Sequence, residues 1–245
     1  MWWGAAEDFF QRNTWGARDR QRLAASLRKV IQQGPSKTAR VPLLIGPTNA
    51  GKSTIFEPVD AVFGFNRVLH KPKLGASCPL QKLAKGDRRF IYFDDYRPVE
   101  YAALPRDNPT LSTTTYLAMF EGKPFDVQVS QSFNDGHPEV VWRRGVAMTA
   151  KEEGLWDPVG GVSREDIRHM QSRMEIFSAP AQVNGADLVD IPKCAESWSR
   201  WLVVDSVAYA AMGPGRAPAR LLARALPALP VVGANEPAQA EGDED

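Results

Sequence analysis

The run Gly46-Pro47-Thr48-Asn49-Ala50-Gly51-Lys52-Ser53-Thr54 has the residue types and spacing of a phosphate-binding loop, with four residues between an opening glycine and Gly-Lys-Ser. The chemistry needs these residues in these places. Backbone N–H groups that open onto a helix N-terminus surround an anionic phosphate. The lysine reaches the β- and γ-phosphates of a nucleotide, and the serine hydroxyl takes a Mg²⁺ ion. Residues 46–54 are therefore the expected nucleotide contacts. The competing interpretation is a glycine-rich turn that carries a lysine by chance. Context separates the two: Val41-Pro42-Leu43-Leu44-Ile45 is an apolar strand candidate just before the loop, and Ser53-Thr54-Ile55-Phe56 can open a helix just after it.

A second cluster is Phe90-Ile91-Tyr92-Phe93-Asp94-Asp95, four apolar or aromatic residues closed by two carboxylates. In phosphate-loop enzymes a second strand beside the loop brings an acid to the Mg²⁺ shell. Asp94 is the expected metal-shell acid together with Ser53, and Asp95 is expected to polarise an attacking water. The bland alternative is a strand that stops at an acidic turn.

These residues need elements to hold them. Leu23, Leu27, Val30 and Ile31 recur at helical spacing, which predicts a helix over 17–33 ended by Gly34-Pro35. From Arg12 to Arg40 there are eight basic residues against one acid, Asp19. That surplus fits either a solvated helix face or a basic collar for nucleic acid. Pro58, Gly64, Pro72 and Gly75 predict irregular connections after the loop. A short helix is expected over 112–120, with Tyr116, Leu117 and Phe120 buried. Phe125, Val127 and Val129 then alternate with polar residues, Asn134-Asp135-Gly136 signals a turn, and Glu139-Val140-Val141-Trp142 returns. This is a hairpin with His137 near its tip. Val146-Ala147-Met148-Thr149 is another strand candidate. Ser163 caps a helix ending near Arg173, a strand-like Met174-Glu175-Ile176-Phe177 follows, and a last helix spans 195–212 with Trp198, Trp201, Leu202, Ala208 and Met212 as core candidates.

Composition excludes several classes. The chain has 245 residues and a net charge of +1, so bulk charge does not announce nucleic-acid binding. Two distant cysteines, Cys78 and Cys194, argue against a disulfide scaffold and fit a reducing compartment. They and the three scattered histidines form no metal motif. There is no signal-peptide pattern at the start and no apolar run of membrane-spanning length. A soluble intracellular protein is expected, nuclear if it acts in DNA replication.

The order of these pieces resembles the superfamily 3 helicase domain of small DNA-virus replication proteins, of the parvovirus nonstructural and circular single-stranded DNA virus Rep type. Residues 46–53 look like the first motif and Phe93-Asp94-Asp95 like the second. Residues 120–129 are similar to the entry of a DNA-contacting hairpin, 145–151 lie where the third motif should be, and 169–177 resemble the segment whose arginine acts on a neighbouring subunit's ATP. The resemblance implies an α/β phosphate-loop NTPase fold of AAA+ type. Its central, mostly parallel sheet would be flanked by helices, with a small helical region before it. It also implies ATP and Mg²⁺ as ligands, Arg173 as an arginine finger, and Lys151 at the γ-phosphate sensor position. His137, Arg143 and Arg144 would contact nucleic acid, single-stranded DNA being the expected track, within a homo-oligomeric ring. Two departures stand out. Lys151 replaces an asparagine, and a lysine cannot orient a water by accepting a hydrogen bond. The hairpin stretch 130–137 carries no lysine for DNA phosphates.

The expected organisation is a basic helical segment over 1–39, an ATPase core over 40–180, a helical segment over 181–212, and a mostly disordered tail from 213. The leading function is an ATP-dependent helicase or translocase. The alternatives are a degenerate nucleotide-binding module without unwinding activity, or another phosphate-loop NTPase such as a kinase. A GTPase would carry an Asn-Lys-x-Asp element. None is present, although Asp157-Pro158-Val159-Gly160 matches a loose D-x-x-G pattern.

Overall fold

A computed structural model describes residues 2–71, 80–97, 112–129, 138–152, 155–156, 163–182 and 194–212. The hairpin tip with His137 and the 157–160 pattern lie outside the described residues, as does the chain from 213 onward. In chain order the elements are α1 (Trp2–Arg12), α2 (Ala17–Gln33), β1 (Val41–Ile45), α3 (Lys52–Phe56), α4 (Val59–Phe63), β2 (Val68–His70), α5 (Gln81–Ala84), β3 (Phe90–Phe93), α6 (Thr113–Glu121), β4 (Pro124–Asp126), β5 (Glu139–Val141), β6 (Gly145–Ala150), α7 (Arg164–Ser172), β7 (Met174–Ser178) and α8 (Ala195–Ala211).

Five strands form one sheet in the order β2-β3-β6-β1-β7, and every pairing in it is parallel. This is the expected α/β architecture. β1 and β6 are buried along their whole length, as the continuous apolar runs require, because a parallel sheet is covered on both faces. On one face, Leu44, Val68, Phe90, Tyr92, Ala147 and Phe177 join a single cluster with side chains of α1, α2, α3, α4 and α8. On the other face Phe93 meets the rings of Tyr116 and Phe120 from α6.

The acid-bearing strand β3 brings Asp94 to the loop without pairing with the loop strand β1; β6 is inserted between them. The stretch after the loop also holds more order than its prolines and glycines suggested. It contains α4 and the three-residue edge strand β2, which pairs with β3 from Val68↔Phe90 to His70↔Tyr92. Alternation over three residues is too short to signal a strand.

The helix over 17–33 forms as expected, and Ser112 and Ser163 cap α6 and α7 through their side chains. The Trp-rich start, inside the segment over 1–39 expected to be helical, is α1. It buries Trp2, Ala6, Phe9 and Phe10 at helical spacing. In α8, Trp198, Trp201 and Leu202 are buried, whereas Met212 is 59 % exposed and Ala208 only half-buried. The last turns of α8 turn a polar side inward instead: Asp205 and Ser206 are buried and meet Arg20 and Arg28 of α2. Arg20 Nε lies 2.7 Å from Asp205 Oδ2 without hydrogen-bond alignment, so that attraction is coulombic.

These pairs decide what the basic segment does. Arg22 reaches Glu175 at 2.6 Å and lies over the Phe177 ring. Lys29 donates to the Thr38 carbonyl at 2.6 Å. Much of α2's positive charge therefore staples the helix to β7, α8 and the α2–β1 connection and does not form a free collar.

α3 is only five residues long, and its carbonyls are taken from outside the sheet. The indole N–H of Trp2 donates to the Thr54 carbonyl and that of Trp198 to the Ile55 carbonyl, both at 2.8 Å. Replacing Trp198 with Phe keeps the apolar ring but leaves the buried Ile55 carbonyl without its partner. The expected cost is about 1–3 kcal/mol, read as a lower denaturant midpoint at unchanged m-value.

Candidate functional site

The loop leaves β1 at Gly46, whose N–H donates to the Ala150 carbonyl of β6. A Cβ at Gly46 would sit 2.0 Å from the Ala179 carbonyl oxygen just beyond β7, so the sheet closes too tightly there for any side chain. Asn49 and Gly51 then take positive φ, 60° and 77°, which turns the chain back into α3. Thr48, Asn49, Ala50 and Gly51 N–H groups have no acceptor among the described residues. Lys52 folds back over the loop, its Nζ donating to the carbonyls of Gly46 at 3.0 Å and Pro47 at 2.6 Å.

Strand register brings the acids to this loop. Phe93 is level with Met148, and Met148 with Leu43. Asp94, Thr149 and Leu44 therefore come next in the three strands. Period-two alternation puts Tyr92 and Asp94 on the same face of the sheet as Thr149. α3 covers that face, with Phe56 edge-on to the Tyr92 ring. Three hydroxyls consequently converge on one carboxylate oxygen. Asp94 Oδ1 accepts from Ser53 Oγ at 2.8 Å, Thr149 Oγ1 at 2.7 Å and Tyr92 OH at 3.0 Å. Burial, with Asp94 alongside, pushes the Tyr92 phenol well above its ordinary range, so it stays a proton donor.

Asp95 follows at φ 49°, a left-handed conformation that Asp tolerates. Its N–H donates to Thr149 Oγ1 at 2.9 Å. Its Oδ2 accepts from Arg97 Nε at 3.1 Å and Nη2 at 2.6 Å. Its carbonyl accepts from Lys71 Nζ at 2.8 Å. Lys151, one residue past β6, stands at the same end of the sheet. Burial lowers the pKa of the Lys52 ammonium; Asp95 and Asp94 act against that shift, and Lys151 adds to it. Lys52, Lys151 and both acids thus share one electrostatic neighbourhood.

The donor set fits Mg²⁺. Ser53 spends its one hydroxyl proton on the hydrogen bond to Asp94, which leaves its oxygen lone pairs for a cation. Mg²⁺ uses oxygen ligands, one or two carboxylates with substrate phosphates and waters. Among the described residues no three His, Cys, Asp or Glu groups converge into an all-protein cage.

The structure separates the remaining expected site residues from this cluster. Arg173 stands at the other end of the sheet, its carbonyl accepting the Val41 N–H. Its guanidinium is engaged with Glu121, Nε to Oε1 at 2.7 Å, and donates to Ser172 Oγ at 2.6 Å. Both partners of the ion pair are largely buried, at 15 % and 9 % side-chain exposure. An arginine presented outward to a neighbour's nucleotide is therefore not what the structure holds. Arg144 is likewise tied down, to the carbonyls of Gly86 and Arg88, whereas Arg143 is exposed. The hairpin stem exists, with Pro124↔Val141, Phe125↔Val140 and Asp126↔Glu139 paired. Tyr92 and Thr149 are the site residues that the sequence reading missed. Their signal was positional: Tyr92 lies two residues before Asp94, and Thr149 lies in the strand candidate next to Lys151.

No protein-family model matches the chain, and no curated protein does. Among solved structures, the apo C-terminal region of NrS-1 in its A form shares 10 % identity at a TM-score of 0.49, over 89 % of this chain and 50 % of that one. JCV helicase with a bound phenoxyphenyl acetamide shares 17 % at 0.38, over 76 % of this chain and 51 % of that one. The chain thus spans about half the length of these structures. At such scores and identities the likeness carries no activity across; the fold is evident in the strand order itself.

Lys123 also bonds Glu121, and with Arg173 it holds the carboxyl below its ordinary pKa despite burial. A depressed carboxylate stabilises above its unfolded pKa, and that contribution is lost as pH falls through the folded one. Arg173→Ala should cost about 3 kcal/mol at pH 7, with the penalty shrinking as acid protonates Glu121. Denaturant curves at pH 7 and at acid pH check both magnitude and sign.

Proposed function

We propose that the chain is a magnesium-dependent phosphate-loop ATPase that acts on nucleic acid, single-stranded DNA being the expected track. The observation that carries this reading is Asp94 Oδ1, which accepts the loop serine's hydroxyl and the β6 threonine's hydroxyl together. An acidic turn of purely structural use has no reason to collect the loop's Ser53.

In this reading the amides of residues 48–53 wrap the phosphates. Lys52 leaves the Gly46 and Pro47 carbonyls for the β- and γ-phosphates. Ser53, its hydroxyl donated to Asp94, would hold Mg²⁺ through its oxygen, and the ion would supply neutralisation of phosphate charge. Asp95 is the group that aligns the attacking water, and it is positioned through its N–H by Thr149. Lys151 offers the γ-phosphate a second positive charge. Arg97 sits on Asp95 Oδ2 and leaves Oδ1 of that carboxylate for the water. The reading does not lean on Arg173, since a finger in trans would first have to break its pair with Glu121. A ring of identical subunits remains compatible with it.

The second reading, a nucleotide-binding module without turnover, is favoured by Lys151, a donor where a water-orienting acceptor is expected. ATPase assays with and without single-stranded DNA, on wild type and Lys52→Ala, discriminate the two. Turnover that DNA stimulates and Lys52→Ala abolishes supports the ATPase. Nucleotide affinity that survives Lys52→Ala sinks the site itself.

Thr149→Val removes the hydroxyl that bridges both acids and keeps the shape. It should lower kcat on the order of 10–100-fold, as expected for a group that orients a catalytic carboxylate, with nucleotide KM changing little. Thr149→Ser should restore most of the rate. A KM defect with unchanged kcat would assign Thr149 to binding.

A further inference from the structure

All five parallel strands begin immediately after an arginine: Arg40 before β1, Arg67 before β2, Arg89 before β3, Arg144 before β6 and Arg173 before β7. β3 and β6 carry a second one, Arg88 and Arg143. Because the strands are parallel, all of these lie at the amino end of the sheet, opposite the phosphate loop. Register aligns them in two groups, offset by one residue where β6 meets β1. Val68 pairs with Phe90 and Phe90 with Gly145, so Arg67, Arg89 and Arg144 are level. Val41 pairs with Met174, so Arg40 and Arg173 are level too. Five strands about 4.8 Å apart make a row roughly 19 Å long.

The row divides into two sets. Arg88, Arg144 and Arg173 are partly buried and spent on the fold: on the Val68 carbonyl at 3.4 Å, on the Gly86 carbonyl at 2.9 Å and on Glu121. Arg40, Arg67, Arg89 and Arg143 are exposed and have no side-chain hydrogen bond or ion pair among the described residues. The carboxylates beside the row are already matched, Asp87 by Arg88 and Glu121 by Arg173 and Lys123. Lys82 and Lys85, also exposed, flank the turn that Arg144 holds. A chain of net charge +1 thus concentrates unmatched positive charge at one end of its sheet and its acid pair at the other.

We propose that this amino end of the sheet binds the phosphate backbone of single-stranded nucleic acid, through Arg40, Arg67, Arg89 and Arg143. Guanidinium groups strung along one end of the sheet within three residue levels suit a linear polyanion, and each fork suits phosphate oxygens. The hairpin stem is the poorer candidate for backbone grip, because Asp126 and Glu139 stand directly opposite each other there. Phe65, 69 % exposed and two residues before Arg67, offers a base a face on which to stack. This deepens the proposed function by placing its polymer at the end of the sheet away from the nucleotide. The test below uses no nucleotide, so failure of the ATPase reading and failure of this one are separable.

Fluorescence anisotropy of a labelled twenty-nucleotide oligo-dT is followed against salt, on the full chain without ATP. Three lost phosphate contacts on a single strand lower the slope of log K against log salt by about 2. Arg67→Ala/Arg89→Ala/Arg143→Ala should show that drop, and on the order of 100-fold weaker binding near 0.1 M salt. The charge-keeping triple lysine variant should retain the wild-type slope. Arg18→Ala/Arg164→Ala/Arg200→Ala removes as much exposed charge from elsewhere and should change little. Wild-type affinity and slope in the first triple variant overturn the proposal. So does an equal loss in the control triple, which would mean attraction by net charge alone. Wild-type chain that ignores the oligonucleotide but binds vesicles containing phosphatidylserine overturns it in favour of a membrane surface. If the first variant unfolds by circular dichroism, Arg40→Ala/Arg89→Ala puts the same question with two contacts and half to two-thirds of the slope change.

Discussion

A parallel strand buried on both faces has to be covered on both faces, and that demand organises the whole molecule. β1 and β6 have no exposed residue. One side of the sheet is closed by α6, whose Tyr116 and Phe120 meet Phe93. The other is closed by α1, α2 and α8 together with the loop's own helix α3. Segments that read as appendages to a central domain are thus part of its core. Without the tryptophans of α1 and α8, α3 would have neither an apolar wall nor partners for two of its carbonyls. The loop in front of it would then lose its footing.

The same cover brings the chemistry together. α3 lies on the face that carries Tyr92, Asp94 and Thr149, so Ser53 is delivered onto Asp94 by packing. Each hydroxyl that reaches Oδ1 comes from a different constraint: Ser53 from the helix laid over the sheet, Tyr92 from alternation along its own strand, Thr149 from register with the neighbour. The insertion of β6 between β1 and β3 is what gives Thr149 its place. A direct β1–β3 pairing would have left no side chain able to touch Asp94 through its oxygen and Asp95 through its backbone at once.

Charge follows the strand direction. Parallel strands put all their carboxyl ends on one side, where unpaired loop amides and the two acids collect. They put all their amino ends on the other, where the arginines stand. An antiparallel sheet of the same composition would have mixed the two. The exposed arginines at one end, and the loop amides with Asp94 and Asp95 among Lys52, Lys71, Arg97 and Lys151 at the other, are consequences of a single topological choice.

Much of this was legible in the residues alone. The loop, its lysine and serine, the Asp94-Asp95 pair, β1, β3, β6 and β7, the cap at Ser163, and the helix over 17–33 all rest on local signals: motif spacing, apolar runs and capping chemistry. What the residues could not settle depends on which elements become neighbours. Trp2 reads as an apolar residue near the start of a chain until α3 lies beneath its indole. Arg173 and Arg144 read as free cations until Glu121 and the Gly86 carbonyl meet them. Met212 reads as core until α8 turns Asp205 and Ser206 inward. Thr149 carries only a positional signal, because a hydroxyl acquires a role only from what register places within 3 Å of it. Local sequence determined the parts and most of the reactive groups. Tertiary structure decided which charges are spent on the fold and which remain for a ligand, because pairing energy depends on distance and burial, and neither exists before the sheet is assembled.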